Sequence, residues 1–243
     1  MEQYIAVFLI SAGATFLQTS IGFGFAVFSM VFLHRVFPYG EAIALCQAFA
    51  AVNTVYVAIR YHKYIQFKIM IPLLIPSVLL GIVFTIYSYS VETQYLKAML
   101  GLVLFFLSIF MVRYSQKIQL KPSTRNGVFM GSLTGIGNGL FGIGGPPAVL
   151  YLLPATDNKL AYLATAQAYF SINNITNLST RFIKGDIDLG NYSYLFAGWA
   201  GVAVGVAVGL LAFRHIKAEV LKKCIYAFVG INGVWIIVQE LIL

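Results

Sequence analysis

The side chains best placed to do chemistry in this sequence are amides. In the stretch ATAQAYFSINNITNLSTR (164–181), Gln167, Asn173, Asn174 and Asn177 sit in a charge-poor run that ends at Arg181. Asn173, Asn177 and Arg181 are spaced i, i+4, i+8 and so share one face of a helix. Gln47, Asn53 and Thr54 form a similar stripe in an earlier run. Two further polar points accompany glycines. One is QTSIGFGF, with Gln18, Thr19, Ser20, Gly22 and Gly24. The other is NGLFGIGGPP, with Asn138, Gly142, Gly144, Gly145 and Pro146. Amides and exposed backbone N–H groups donate hydrogen bonds, and a hydroxyl becomes a nucleophile only beside a base. They bind, and donors gathered at a helix start bind anions.

The surroundings of these residues are a membrane. Of 243 residues, 60% are hydrophobic and 10% charged, where a soluble domain carries about 25% charged. The charge-poor runs are 3–33, 42–59, 69–91, 98–112, 127–154, 160–180, 189–213 and 224–239. The expectation is an all-α polytopic protein forming one transmembrane domain over 1–243. The first run lacks a basic leader and reads as a retained membrane segment. The net charge of +8 comes from Lys and Arg at the ends of runs. That is a membrane-loop pattern, facing lipid headgroups and not nucleic acid. Cys46 and Cys224 lie in apolar runs and His34, His62 and His215 beside basic residues, so no metal site or cofactor is expected. The spans offer no acid, His or Lys for a nucleophile–base pair, which leaves no catalytic residues and argues against an enzyme.

Sliding the chain by 120 residues shows an internal repeat. Gln18 falls on Asn138, Gly22 and Gly24 on Gly142 and Gly144, Gln47 on Gln167, Asn53 on Asn173, and Gly81 on Gly201. In the last segment Leu96-Lys97 falls on Leu221-Lys222, an offset of 125. The homologous halves are 4–114 and 125–243. Eight full spans with parallel repeats would divide the basic residues nine to seven between the two sides. If the first segment of each half is instead broken and re-entrant, each half has three spans and the second half is inverted. The division then becomes twelve to four, with Arg35, Lys97, Arg181 and Lys184 on the poorer side. The positive-inside rule favours this second arrangement. It places the basic loops in the cytoplasm and both termini outside, in the plasma or inner membrane. Residues 3–33 would make a straight helix of about 46 Å, too long for the hydrocarbon core. Two half-helices meeting near the midplane would use that length.

Irregular backbone in a membrane survives where it is buried in protein or lines a wet cavity. Paired breaks at a repeat interface are where transporters hold substrate. Pro146 and Pro147 fit the first turn of a restarted helix. GVAVGVAVG (201–209), with glycine at every fourth position, reads as a helix-packing face. The G-x-G-x-x-G at 137–142 lacks the strand and soluble βαβ unit of a dinucleotide site.

The two halves, GFGFA, GIGNGLFGIGGPPAVLYLL and ATAQAYFSINNITN together resemble the sulfite exporter TauE/SafE family of membrane permeases over essentially the whole chain. The resemblance implies a permease for sulfite or organosulfur compounds, with several members associated with export. The expected activity is secondary transport of small anions such as sulfite or sulfonates by alternating access. Gln18, Thr19, Ser20, Gly22, Gly24, Gln47, Asn53, Asn138, Gly142, Gly144, Gly145, Pro146, Gln167, Asn173, Asn174 and Asn177 would bind the substrate. An anion channel, or a permease for another small organic acid, is the alternative. Partners would be the anion, membrane lipid, a coupling proton or ion, and a second copy in a homo-oligomer.

Overall fold

The computed structural model describes residues 2–21, 24–114, 122–186, 193–213 and 218–241. Within these, side chains 20–21, 111–112, 114, 210–213 and 218–226 lie outside the description. All regular structure among the described residues is helical. The helices are α1 (Glu2–Ile21), α2 (Phe25–Val36), α3 (Tyr39–Arg60), α4 (Phe67–Ser88), α5 (Thr93–Tyr114), α6 (Thr124–Phe141), α7 (Gly145–Ala155), α8 (Lys159–Lys184), α9 (Ser193–Phe213) and α10 (Ala218–Leu241), with a short 3₁₀ turn at His62–Tyr64. The first and fifth apolar runs therefore each hold two helices, one ending at Ile21 or Phe141 and the next starting at Phe25 or Gly145.

Tyr39–Arg60, Phe67–Ser88 and Thr93–Phe110 are each long and apolar enough to cross a membrane. α8 is longer but carries its amides inward. Gln167, Ser171, Asn173, Asn177 and Arg181 are all buried, while Ile172, Ile175 and Phe182 are exposed. This inside-out polarity is expected of a helix that turns lipid-like surface outward and polar groups to the bundle interior. Its start is capped by Asn158, whose Oδ1 accepts from the N–H groups of Leu160 and Ala161 at 3.0 and 2.9 Å.

Two parallel helix pairs form the tightest contacts. α6 lies along α4, with Gly131, Gly135 and Gly139 opposite Leu73, Ser77 and Gly81. α9 lies along α1, with Gly201, Gly205 and Gly209 against Phe8–Ser11, Ala12–Thr15 and Phe16–Thr19. A Cβ on Gly139 would stand 2.7 Å from the Gly81 carbonyl oxygen, and one on Gly209 2.9 Å from Thr19 Cβ. Only glycine lets these backbones approach so closely, and in an apolar solvent such packing drives association. The sequence expectation for 201–209 holds. The stripe Gly127, Gly131, Gly135, Gly139 does the same work on α6. α5 and α10 cross at Gly101 and Gly233, and α3 packs on α8.

These contacts also fix where each element begins and ends. Tyr194, at the start of α9, stacks on Tyr4 of α1 at 4.6 Å and meets Phe37, just past α2, edge-on at 5.2 Å. The α1–α2 hairpin thus starts and finishes at one end of the bundle, where α8 gives out. Near the opposite end, Gly127 of α6 lies against Pro72 of α4 and Tyr151 of α7. There too Gln66 meets Asp157 and its N–H bonds Thr165 Oγ1 at 3.0 Å. The α6–α7 hairpin starts and finishes there. The two hairpins enter the bundle from opposite ends and their tips converge within it. Their limbs are unequal. α1 and α6, of 20 and 18 residues, are each about 30 Å long, whereas α2 and α7 are under 20 Å. The break is a long helix that overshoots and turns back, not two equal half-helices.

Candidate functional site

Both turns are made by a left-handed glycine. Gly142 closes α6 at φ 70°, and Gly24 opens α2 at φ 109°. An L-residue is strained in that conformation, so each turn needs glycine. After Gly142 the Ile143 N–H returns to the Gly137 carbonyl at 3.2 Å, and α7 restarts at Gly145. Neither restart has a side-chain cap. Among the described residues the first-turn N–H groups of α2 and the N–H groups of Gly144 and Gly145 have no side-chain cap and are open to a ligand or water.

Those two starts face the same pocket. Its cavity volume is about 60 Å³. The first hairpin lines it with Gln18 and Gly24–Val27, the second with Thr134, Asn138, Gly142 and Gly144–Pro146. α3 adds Ala50 and Thr54, and α8 adds Tyr169, Phe170, Asn173 and Asn174. No charged residue is among the described lining residues. Twelve of them fall into six pairs exactly one offset of 120 apart: 18 and 138, 24 and 144, 25 and 145, 26 and 146, 50 and 170, 54 and 174.

The polar groups around it differ in how well they are satisfied. Tyr169 donates to Ser77 Oγ at 2.7 Å, Ser77 donates to Asn173 Oδ1 at 2.7 Å, and Asn173 Nδ2 bonds the Tyr169 carbonyl at 3.0 Å. This closed loop locks Asn173. Asn174, half-buried on the wall, has no hydrogen-bond partner among the described residues. Gln47 Nε2 donates to Asn138 Oδ1 at 3.4 Å. The Oε1 atoms of Gln18, Gln47 and Gln167 are buried without partners, a state that costs about 1–3 kcal/mol each unless something fills it.

A family description matches residues 7–236 of this chain, nearly its full length: Sulfite exporter TauE/SafE. The chain belongs to that family. No curated protein and no solved structure matches it significantly. Membership makes the chain a multi-pass membrane transporter of a family described for sulfite-type anions, not an enzyme family. The all-helical fold with three helices long and apolar enough to cross a membrane is consistent with that.

Within this TauE/SafE chain the expected site residues separate into groups. Gln18, Gly24, Asn138, Gly142, Gly144, Gly145, Pro146, Asn173 and Asn174 line the pocket. Gln47 stands one hydrogen bond behind it. Thr19 packs on Gly209 instead. Asn53 and Gln167 do not line it. The Ser20 side chain and Gly22 lie outside the described residues. Asn177 faces α4, accepting from Thr85 at 3.1 Å and touching Gly81. Thr54, named in the first polar stripe, is on the wall, and Thr134, Tyr169 and Phe170 belong to it without having been expected. Thr134 and Tyr169 stand four residues before Asn138 and Asn173, so helical spacing alone would have found them.

Arg181 is also different from its sequence reading as a headgroup anchor. It is 1% exposed. Gly185 ends α8 at φ 87°, and the Asp186 N–H bonds back to the Arg181 carbonyl at 3.1 Å. That turn sets the Asp186 carboxylate 3.0 Å from Arg181 Nη1, while Nη2 donates to the Gly139 carbonyl at 2.7 Å and Nε is buried without a partner. Tyr89 donates to the same carboxylate. Burial, and then this bond, push the Tyr89 phenol above its ordinary range, so it remains a donor.

Proposed function

We propose that the chain is a secondary exporter of small oxyanions such as sulfite or sulfonates, with the pocket between the two hairpin tips as its central site. The observation that carries this reading is the meeting of two helix starts without side-chain caps at one pocket. That pocket holds the amide side chains of Gln18, Asn138, Asn173 and Asn174 and has no charged residue among its described lining residues. Free N–H groups and helix dipoles there suit an anion. In this reading the halves are repeats related by a two-fold axis through the pocket, inverted in the membrane, each opening with a re-entrant hairpin. The six lining pairs at offset 120 support it, as do the hairpins' opposite entry ends. So does the charge pattern. Lys97, whose ammonium pairs with Glu240 at 3.3 Å, belongs with Arg35, Arg181 and Lys184 to the end that would face outward.

The repeat runs out of register after α8 (α3 in the first half). Gly139 opposite Gly81 corresponds to Thr19 opposite Gly209. In this reading Gly81 pairs with Gly209, not Gly201, and Gly101 with Gly233.

Alternating access in this arrangement does not rock one half of the sequence against the other. α4 is held by α6 and α8 of the second half, and α9 by α1 and α3 of the first. The bodies that would move are therefore α1–α2–α3–α9 and α6–α7–α8–α4, each carrying one tip. Met70, Leu73, Tyr151, Leu152 and Tyr169 give the second body its own apolar core.

Counterflow in proteoliposomes tests the proposal. Unlabelled sulfite or a sulfonate inside should accelerate labelled uptake, which a carrier shows and an open channel does not. Asn174→Leu should abolish it without unfolding the protein. Counterflow unchanged by that substitution would place the site elsewhere.

A further inference from the structure

The two sides of the pocket are closed to different degrees. Toward the end of the bundle that carries Arg181, the last turn of α6 ends in Leu140 and Phe141, and Ile143 follows. All three are buried in one apolar core with Val27, Phe37 and Ile43 of the first half. The second tip is thus sunk into the core of the opposite body. The seam is tight, since a Cβ on Gly142 would stand 2.9 Å from Ile43 Cγ2. Toward the other end, the core around Met70, Leu73 and Tyr151 includes no described residue of α1 or α2. An apolar plug lies on the first side of the pocket, and no such plug is found among the described residues on the second.

Polar ties reinforce the plug. The Leu140 carbonyl is among the last four of α6, which have no partner within the helix. Tyr39, buried at the start of α3, donates its hydroxyl to that carbonyl at 3.0 Å. The bond joins the first body to the hairpin of the second. Beside it, the Asp186 carboxylate held by Arg181 lies so close to Gly40 that a Cβ there would overlap it. Lys159, one offset after Tyr39 and so at its place in the second half, is exposed.

We infer that Leu140, Phe141 and Ile143 form an outer gate latched by Tyr39, and that this conformation is closed outward and open to the cytoplasmic side. This rests on the transport reading above. The anion then loads from the cytoplasm. Release outward requires the second tip to leave the first body's core, which breaks the Tyr39 bond. Tyr39 touches no substrate. It is a positioning residue that sets how often the path opens outward.

The test places one thiol on the pocket wall. The full chain carries Cys46→Ala, Cys224→Ala and Asn174→Cys, and a membrane-impermeant thiol reagent is applied to vesicles of each orientation. Labelling should be fast from the cytoplasmic face and slow from the outer face. Adding Tyr39→Phe keeps the ring in its core and removes the latch, so outer labelling should rise about fivefold. Gly40→Ala presses on the Asp186 carboxylate and should act in the same direction. Tyr194→Phe is the control. It removes a hydroxyl bond to Gln3 at the same end but inside the first body, and should change neither rate. Melting temperatures show which variants are folded. Equal labelling from both faces, faster labelling from outside, or none from either overturns the assignment of this conformation. Outer labelling unmoved by the folded Tyr39→Phe and Gly40→Ala variants, or raised equally by Tyr194→Phe, overturns the latch. The transport reading falls on a different result, absence of counterflow for sulfite and sulfonates, on which the labelling pattern does not depend.

Discussion

The two hairpin tips do the same job with different chemistry. At the first tip α2 begins Gly24-Phe25-Ala26-Val27, and all three residues after the cap bring an N–H to the helix start. At the second, α7 begins Gly144-Gly145-Pro146-Pro147, and the prolines bring none. The sequence draws attention to the prolines as the place where a helix restarts over an anion. By donor count the better anion end is the first. The second tip is the stiffer one. Its φ angles are set by Pro146 and Pro147, and the helix leading to it is pinned through Gly139 by Arg181. Residue 61, one offset before Arg181, is Tyr, so the first hairpin lacks a guanidinium at the corresponding place. One tip supplies hydrogen bonds and the other a fixed wall.

The largest effect should come from making the tips alike in bulk. Gly145 corresponds to Phe25 and has nothing within 4 Å of where a Cβ would stand. Gly145→Phe therefore fills the pocket with little disturbance of the fold. Anion flux should fall to that of empty liposomes while the melting temperature stays close to that of the parent. Residual flux at half the parent rate would mean that the second tip does not border the path.

Next comes the tie on the second hairpin. Asp186→Asn leaves the Arg181 guanidinium buried without its counter-charge. Removing one partner of a buried ion pair costs about 3–5 kcal/mol, and the Gly139 carbonyl offsets only part of it. The variant should unfold at markedly lower denaturant or temperature. Arg181→Met together with Asp186→Asn should recover much of the loss. If the single variant is as stable as the parent, the pair is ornamental and the stiffness of the second tip has another source.

These residues also show what could be seen before folding. The breaks at Gly24 and Gly142–Gly145 were legible, because glycine and proline interrupt a helix locally and nothing distant is needed to see it. So was the polar face of α8. How that face divides was not. Asn173 and Asn177 are one helical turn apart and look equivalent, but one meets Ser77 at the pocket and the other Thr85 beside Gly81. Which residue stands across a helix interface depends on register with a segment some 90 positions away. Arg181 misled for the same reason. It looked like the basic end of a span until Gly139, 42 residues earlier, was found beneath it. The pairing of α1 with α9 and of α4 with α6, across the halves, leaves no mark in either half alone.

A tenfold effect should follow from changing donors. Ala26→Pro installs at the first tip the residue that stands at 146. Proline is tolerated in a helix's first turn, so the change removes one N–H and little else. A hydrogen bond to a charged group is worth about 1.5–3 kcal/mol, so the KM for the anion should rise at least about tenfold with the maximal flux retained. Pro146→Ala, the reverse exchange, should lower it. Equal and small effects at both positions would show that neither helix start holds the anion directly.

The smallest effect separates the turns themselves. Gly24 and Gly145 both have open space around a built Cβ, but only Gly24 has a positive φ. Gly24→Ala should then cost about 1 kcal/mol or somewhat more in backbone strain alone, a fall in melting temperature of about 2–4 °C for a chain of this size. Gly145→Ala should cost almost nothing and still crowd the pocket. A thermal melt beside a flux measurement reads both. Loss of stability without loss of transport at 24, with the opposite at 145, would assign the first glycine to the turn and the second to the ligand's path. Identical profiles would mean that the two tips are not divided in this way, and the contrast between a donor end and a wall would have to be abandoned.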